Sequence, residues 1–297
     1  MNHVLAAVSL IGLICMPSPG SLPDIQEGAL PALDIRLDYR SLQPGEVLRI
    51  TLSGKADIQW AHFRFSGEKH PLWQSAAGGD HIAFLGLDLE LAPGSYPLSV
   101  TAQLEDGTLS TLTKEIEVKS RNFPVERLRV DPKYVTPPAE ALERIRLEAQ
   151  LMRSVYSGFS PEWLGEGSFV LPTAGRVSPN FGRRRIFNDQ PRSPHSGVDI
   201  SSPQGTPVLA SNSGRVVLTR GLYYAGNTVI IDHGLGVFSI YLHLSRMLVE
   251  EGSLVIKGDT IGEVGATGRV TGPHLHWSVR IRNSRVDPLS LLDLRLD

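Results

Sequence analysis

The sequence predicts a mainly β protein, two β regions joined by a helical connector. Three observations lead there. Between Pro31 and Lys119, apolar residues recur at every second position between Gly, Pro and Asp turns, the period of a half-buried strand. After Thr136 the apolar spacing becomes helical, and from Phe169 onward short apolar runs are parted by glycines. At 297 residues the chain is long enough for two domains of ordinary size.

The first segment stands apart. Val4 to Met16 is almost wholly apolar, and Ser18 and Gly20 set small residues before a cut near Gly20. This is the length of an export-signal core and too short for a membrane span. Residues 1–20 are therefore expected to be a signal peptide, and the protein to be periplasmic or extracellular. The only cysteine, Cys15, lies in that segment, so the mature chain has no disulfide and no thiolate ligand. The residues before Cys15 make a poor lipoprotein signal. No later stretch approaches a transmembrane span.

Residues 24–120 are expected to form a small antiparallel sandwich. Ile35, Leu37 and Tyr39 alternate with charged residues, as do Leu48, Ile50 and Leu52 after the turn at 43–45. Leu85, Leu87, Leu89 and Leu91 alternate next, then Tyr96 to Leu104, then Ile116 and Val118. The phrase Pro93-Gly-Ser-Tyr-Pro-Leu-Ser-Val100 resembles the later strands of immunoglobulin-like bacterial surface modules, which implies an immunoglobulin-like β-sandwich. His62, His70 and His81 have no ligand-like spacing and are expected at the surface or in packing. Trp60 and Trp73 are expected in the core.

Residues 121–165 form the connector with one helix. Thr136 is placed to cap it and Pro137 to occupy its first turn. Leu142, Ile145, Ala149 and Met152 fall at helical spacing, Glu140 and Arg144 are an i,i+4 pair, and Ser157-Gly158 ends the run. Its apolar stripe is expected to pack against one or both neighbouring regions, as a spacer or as an arm over the next domain.

Residues 166–297 form the Gly-rich antiparallel domain. Runs 208–218, 227–233, 237–244, 254–264 and 274–280 read as strands, and Asp287-Pro288 starts a short tail against the sheet. A net charge of −2 without a basic block gives no nucleic-acid signature, and no nucleic-acid partner is expected. Arg183-Arg-Arg185 reads as a solvated loop.

The chemistry gathers around Thr271-Gly-Pro-His-Leu-His-Trp277. His274 and His276 point to one face of an extended strand. In His195-Ser-Gly-Val-Asp199, His195, Gly197 and Asp199 share a face, and the glycine leaves room for an ion. Tyr241-Leu-His-Leu places His243 on a strand. Three ligands and an open position make a catalytic zinc site, which leaves two histidines for proton transfer or oxyanion stabilisation. Spacing alone does not choose the three. His233 stands outside the set. Tyr223, Tyr224 and Tyr241 either contact substrate or pack, and Asp232 and Asp259 read as turn formers.

Residues 169–292 resemble the LytM/lysostaphin-type zinc endopeptidases. The resemblance rests on His195-Ser-Gly-Val-Asp-Ile200, Gly226-Asn-Thr-Val-Ile-Ile-Asp-His-Gly234, Tyr241-Leu-His-Leu-Ser245, Lys257-Gly-Asp-Thr-Ile-Gly262, Gly265-Ala-Thr-Gly268 and Gly272-Pro-His-Leu-His276. It implies a metallopeptidase domain holding one zinc per chain through His195, Asp199 and His276. It implies His243 and His274 as the catalytic histidines, and peptide crosslinks or stem peptides of peptidoglycan as substrate. No position of the set is missing. In latent members an asparagine in this context fills the open zinc position. Asn180, in Ser178-Pro-Asn-Phe-Gly182, stands at the matching place, with a turn residue as the simpler expectation. The loops 187–191 and 221–225 are expected to set specificity, and the connector or first region to touch the catalytic face. Two other classes fit less well. One is a non-catalytic cell-wall binding or amidase-activating protein that keeps the fold. The other is a lipoyl-type carrier, from the hairpin-like Val255-Ile-Lys-Gly-Asp-Thr-Ile-Gly262.

Overall fold

Alternating apolar residues build the first region. Its strands are β1 (Leu33–Tyr39), β2 (Val47–Gly54), β3 (Ile58–Phe65), β4 (Glu68–Gln74), β5 (His81–Gly86), β6 (Gly94–Leu104) and β7 (Leu109–Val118). They pair antiparallel in the order β1-β2-β5-β4-β3-β6-β7. Ile35, Leu48, Ile50, Phe63, Leu98 and Ile116 meet in one core. The computed structural model describes residues 33–75 and 78–294. The expected export signal lies outside them, and among the described residues no helix is long and apolar enough to cross a membrane.

Two expectations change here. The alternation through Leu91 overruns the strand: β5 ends at Gly86, and Leu87 and Leu89 are buried from the loop beyond it. Trp60 is 40 % exposed. Ala61, Phe63 and Phe65 take the inward positions of β3, which leaves Trp60 on the outer face, where its Nε1–H donates to Gln103 Oε1 (2.6 Å).

Strand β5 is buried along its whole length. Ala83 and Leu85 enter the first core, whereas Ile82 and Phe84 enter the core of the C-terminal region. A near-continuous apolar run is what a strand covered on both faces requires. A Cβ on Gly86 would lie 2.9 Å from Ser284 and Val286 side-chain atoms, so the two regions touch closely there. The described residues accordingly form one compact unit.

In the connector, β8 (Val125–Leu128) precedes the helix α1 (Ala139–Ser157). Thr136 does not cap α1. Pro138 holds the N-cap position with an extended backbone, and no side chain caps the helix there. Two consecutive prolines hold the chain extended until Ala139. Gly158 ends the helix as expected. The stripe is rotated and shifted towards the C-terminus: Leu151, Met152, Val155 and Tyr156 pack against Leu218, Ile230, Phe238 and Ile240. Leu142 is 54 % exposed. Arg144 pairs with Glu148 (2.7 Å), not Glu140. Its guanidinium also donates to Gly221 O (3.0 Å), which draws it towards the helix C-terminus.

The C-terminal region runs through β9 (Arg176–Ser178), β10 (Arg184–Phe187), β11 (Gln190–Arg192), β12 (Gly197–Ser201), β13 (Pro207–Leu209), β14 (Gly214–Leu222) and β15 (Gly226–Asp232). It continues through β16 (Val237–Leu244), β17 (Arg246–Met247), β18 (Leu254–Val255), β19 (Thr260–Glu263), β20 (Leu275–Ile281), β21 (Ser284–Val286) and the helix α2 (Pro288–Leu292). The main sheet has the order β18-β14-β15-β16-β20-β12-β9, with β21 also on β20. The expected strands 208–218 and 254–264 are each broken. The breaks fall at 210–213, between β13 and β14, and at 256–259, between β18 and β19, where Gly258 has φ +93°. β10 pairs antiparallel with β11 and parallel with β8, so the connector joins this domain as a strand. Arg40 and Arg121 bond Glu46 and Asp287, tying the first region to the tail, while Asp287 also caps α2.

Candidate metal centre and groove

Neighbouring strands set the centre. Asp199 on β12 lies opposite His276 on β20, and Leu242 on β16 lies opposite His276 on the other side. His243 follows at the end of β16, His274 precedes β20, and His195 precedes β12. Gly197 lets β12 approach: a Cβ there would meet Trp277 O at 2.4 Å and His276 Nε2 at 2.8 Å. Its missing side chain therefore makes room for the His276 ring, not directly for an ion as the spacing suggested.

Three electron-pair donors converge. His195 Nε2 is 2.8 Å from His276 Nδ1 and 3.2 Å from Asp199 Oδ1, and His276 Nδ1 is 2.9 Å from Asp199 Oδ1. His195 Nδ1–H donates to Asn180 O (3.1 Å), so Nε2 of the neutral ring carries a lone pair. Ser278 Oγ lies 2.8 Å from His276 Nε2 and can accept its proton, which frees Nδ1. A tetrahedral ion with bonds of about 2.0–2.1 Å spaces its donors by about 3.3 Å, close to the three separations here. The remaining ring nitrogens bond a backbone carbonyl and a hydroxyl, the outer support that metal-bound histidines need. These three residues thus fit a divalent ion of zinc's ligand preference.

Electrostatics agree. Burial opposes ionisation of Asp199, but the hydrogen bonds of His195 and His276 outweigh it and hold the carboxyl well below the usual range. Burial lowers His195 and pushes His276 down to about 4, keeping both imidazoles neutral and ligand-competent. Asn180 braces the carboxylate. Its Nδ2–H donates to Asp199 Oδ2 (2.7 Å), and its Oδ1 accepts from the Asp199 backbone (3.2 Å). Both ends of the amide are committed to Asp199.

His243 and His274 stand beside this cluster, their ring centroids 5.1 Å apart. His243 Nδ1–H donates to Thr267 O (2.9 Å) and His274 Nδ1–H to Gly272 O (2.8 Å). With Nδ1 so committed, Nε2 of each ring is the nitrogen left to take up or give a proton, and that of His274 is 3.7 Å from Asp199 Oδ1. Burial, with the neighbouring His276 and His274, pushes His243 down to about 3. Its backbone takes φ +66°, with its N–H donating to Ala225 O (3.0 Å). The orienting loop is tight: a Cβ on Gly268, at φ +76°, would meet Gly226 N at 2.4 Å.

The five residues open onto a groove of about 370 Å³. Glu126, Leu128 and Val130 of the connector form one wall, and Arg185, Tyr224 and Arg269 line it too. The reading of Arg183–Arg185 as a solvated loop is corrected: Arg185 lies on β10, its side chain 19 % exposed, 3.9 Å from Asp199. Asn188 and Asp189, at φ +47° and +66°, make the two-residue turn between β10 and β11, in the conformation such hairpins favour. His233 is away from the cluster, fully buried, bonding Ser213 O and Ser239 Oγ. Tyr241 is likewise internal, its hydroxyl bonded to Ser211. Asp232 and Asp259 accept turn N–H groups. Sequence spacing gave no sign of Arg269 or Glu126, nor of a groove role for Arg185.

The comparisons agree with this geometry. The profile of peptidase family M23 matches residues 193–288. Over 122 residues the chain is 48 % identical to the peptidoglycan DD-endopeptidase ShyA of Vibrio cholerae serotype O1, covering 41 % of this chain and 28 % of that protein. Over 116 residues it is 43 % identical to the DD-carboxypeptidase/endopeptidase Mpg of Neisseria meningitidis serogroup B, covering 39 % and 27 %. The chain thus spans about a quarter of the length of these curated relatives. A crystal structure from Pseudomonas aeruginosa, described as a peptidase M23, superposes with a TM-score of 0.65 at 29 % identity, over 86 % of this chain and 96 % of that one. Residues 193–288 of this chain are a peptidase family M23 domain, built on a mainly β frame.

Proposed function

We propose that this protein is a zinc-dependent endopeptidase that hydrolyses peptide crosslinks or stem peptides of bacterial peptidoglycan. The observation that carries the reading is the convergence of His195, Asp199 and His276 beside two imidazoles that each keep a free Nε2. Bound by the first three, one zinc supplies Lewis acidity and a water acidic enough to act near neutral pH. His243 and His274 handle the proton. Nε2 of either accepts it as the scissile carbonyl is attacked, then passes it to the leaving amine. A histidine that faces the oxyanion must hold a proton on Nε2, because its Nδ1–H is already given to a backbone carbonyl. Asn180 acts in this reading as a brace for Asp199. Peptidoglycan as substrate is supported by the activities for which the relatives are named. It also agrees with the export signal expected in residues 1–20. The first region is read as immunoglobulin-like from its antiparallel strand order, β1-β2-β5-β4 continuing through the β4–β3 pair into β3-β6-β7.

The test is digestion of purified peptidoglycan with and without a zinc chelator, the fragments read by mass spectrometry. Chelator-sensitive loss of crosslinked fragments is expected. Intact crosslinks after incubation with zinc-loaded protein would overturn the catalytic reading.

A further inference from the structure

Among the described residues Arg269 has no counter-ion, and it lines the groove onto which the five site residues open. It lies 4.9 Å from the Phe187 ring and 4.8 Å from the Tyr224 ring. Among the described residues no carboxylate or carbonyl accepts a hydrogen bond from its side chain. Two aromatic rings flank the guanidinium and accept no hydrogen bond from its N–H groups here, so its N–H fork is available for a carboxylate. Arg185 is a like-charge neighbour, and burial together with that charge disfavours the Arg269 cation. Arg185 itself is only partly compensated. It stands 3.9 Å from Asp199, the carboxylate of the metal centre, and 4.0 Å from Glu126, which already pairs with Arg183 at 3.0 Å. Its Nε has no hydrogen-bond partner. The wall therefore carries uncompensated positive charge in a partly dry groove, where an anion gains most.

Position says which anion. Arg269 belongs to the loop that orients His243, two residues beyond Thr267, whose carbonyl holds the imidazole. A group gripped by Arg269 thus sits on a substrate residue adjoining the reacting amide. We infer that Arg269, backed by Arg185, reads a free carboxylate next to the scissile bond. The preferred substrate is then a peptide with a free carboxylate on a residue beside the scissile bond, rather than one uncharged there. This rests on the endopeptidase reading above.

The experiment uses synthetic crosslinked peptide dimers in pairs that differ only in a free carboxylate or a carboxamide on a residue next to the scissile bond. They are given to the full zinc-loaded chain and to Arg269→Gln and Arg269→Lys. Amidation of the carboxylate that Arg269 reads is expected to lower the wild-type kcat/KM about 10- to 100-fold. Arg269→Gln loses a similar factor on the free acid and almost nothing on the amide, and Arg269→Lys recovers part of the loss. Zinc content and thermal midpoint report folding of the variants. Should the variants not fold, the paired dimers on wild type decide alone. Equal wild-type rates within every pair overturn the inference, as does an Arg269→Gln loss of the same size on both members. If wild type cleaves no dimer, the endopeptidase reading falls and takes this inference with it.

Discussion

The first and the C-terminal regions are both antiparallel β structures, yet their interiors differ. Among the described residues of the seven-stranded region, the buried polar side chains are Glu46, Thr51 and His81. The C-terminal region buries Asn180, His195, Asn212, Asp232, His233, Ser239, His243 and His276, among others. Each such group loses water and must be bonded in place. Ser211, Ser239, Tyr241 and His233 form one such linked set, and Asn180, Asp199, His195 and His276 another. The first region is built by apolar burial and can tolerate change on its outer face. The second spends much of its interior on fixed hydrogen bonds that hold the imidazoles in one tautomer and one orientation.

The strongest way to break this contrast is at the centre. His276→Ala should lose stoichiometric zinc and hydrolysis together. His274→Ala should keep zinc while kcat falls about 10²- to 10⁴-fold. Metal content and muropeptide release measure both. Full zinc occupancy in His276→Ala would remove it from the ligand set, and lost zinc in His274→Ala would place it there.

Shared burial gives the next effect. Phe84 lies on β5 of the first region but packs in the core of the second. Phe84→Ala should cost about 3–5 kcal/mol in urea unfolding and reduce activity as well. Unchanged stability would show that β5 does not couple the regions.

Acid should act selectively on the polar interior. Burial holds His233 at about 4, below its ordinary 6.5. Between those values the unfolded chain binds the additional proton. Stability is therefore full above pH 6.5 and is lost as pH falls towards 4, by about 3 kcal/mol from this residue. Unfolding curves at several pH values should show a flatter slope for His233→Gln, and identical slopes would refute the assignment. Smallest of all, Trp60→Ala on the outer face of β3 should change stability by no more than about 0.5 kcal/mol. A larger loss in the same unfolding assay would mean that this face is covered.

Legibility followed the range of the interactions. The two β regions, the connector helix and its end at Gly158 were readable because period and punctuation are local. His195, Asp199, His243, His274 and His276 were readable as a group because closely spaced pairs stand on or beside three neighbouring strands. The double burial of β5 was visible only as an apolar run, since nothing local says that a second core covers it. The face α1 buries depended on where Arg144 finds Gly221 and Glu148. Arg185 was read as solvated and Arg269 escaped notice because their setting is made by distant aromatic and acidic side chains. An isolated arginine in a sequence resembles every solvated one.

The left-handed backbone of His243 has a consequence for any population of variants. A non-glycine residue held there carries a cost on the order of 1–2 kcal/mol, which glycine would relieve. Screens that score only heat resistance or expression would enrich His243→Gly, and with it sturdy proteins without turnover. Sturdiness and turnover therefore pull this codon in opposite directions, and a lineage that keeps histidine there records continued selection for the reaction.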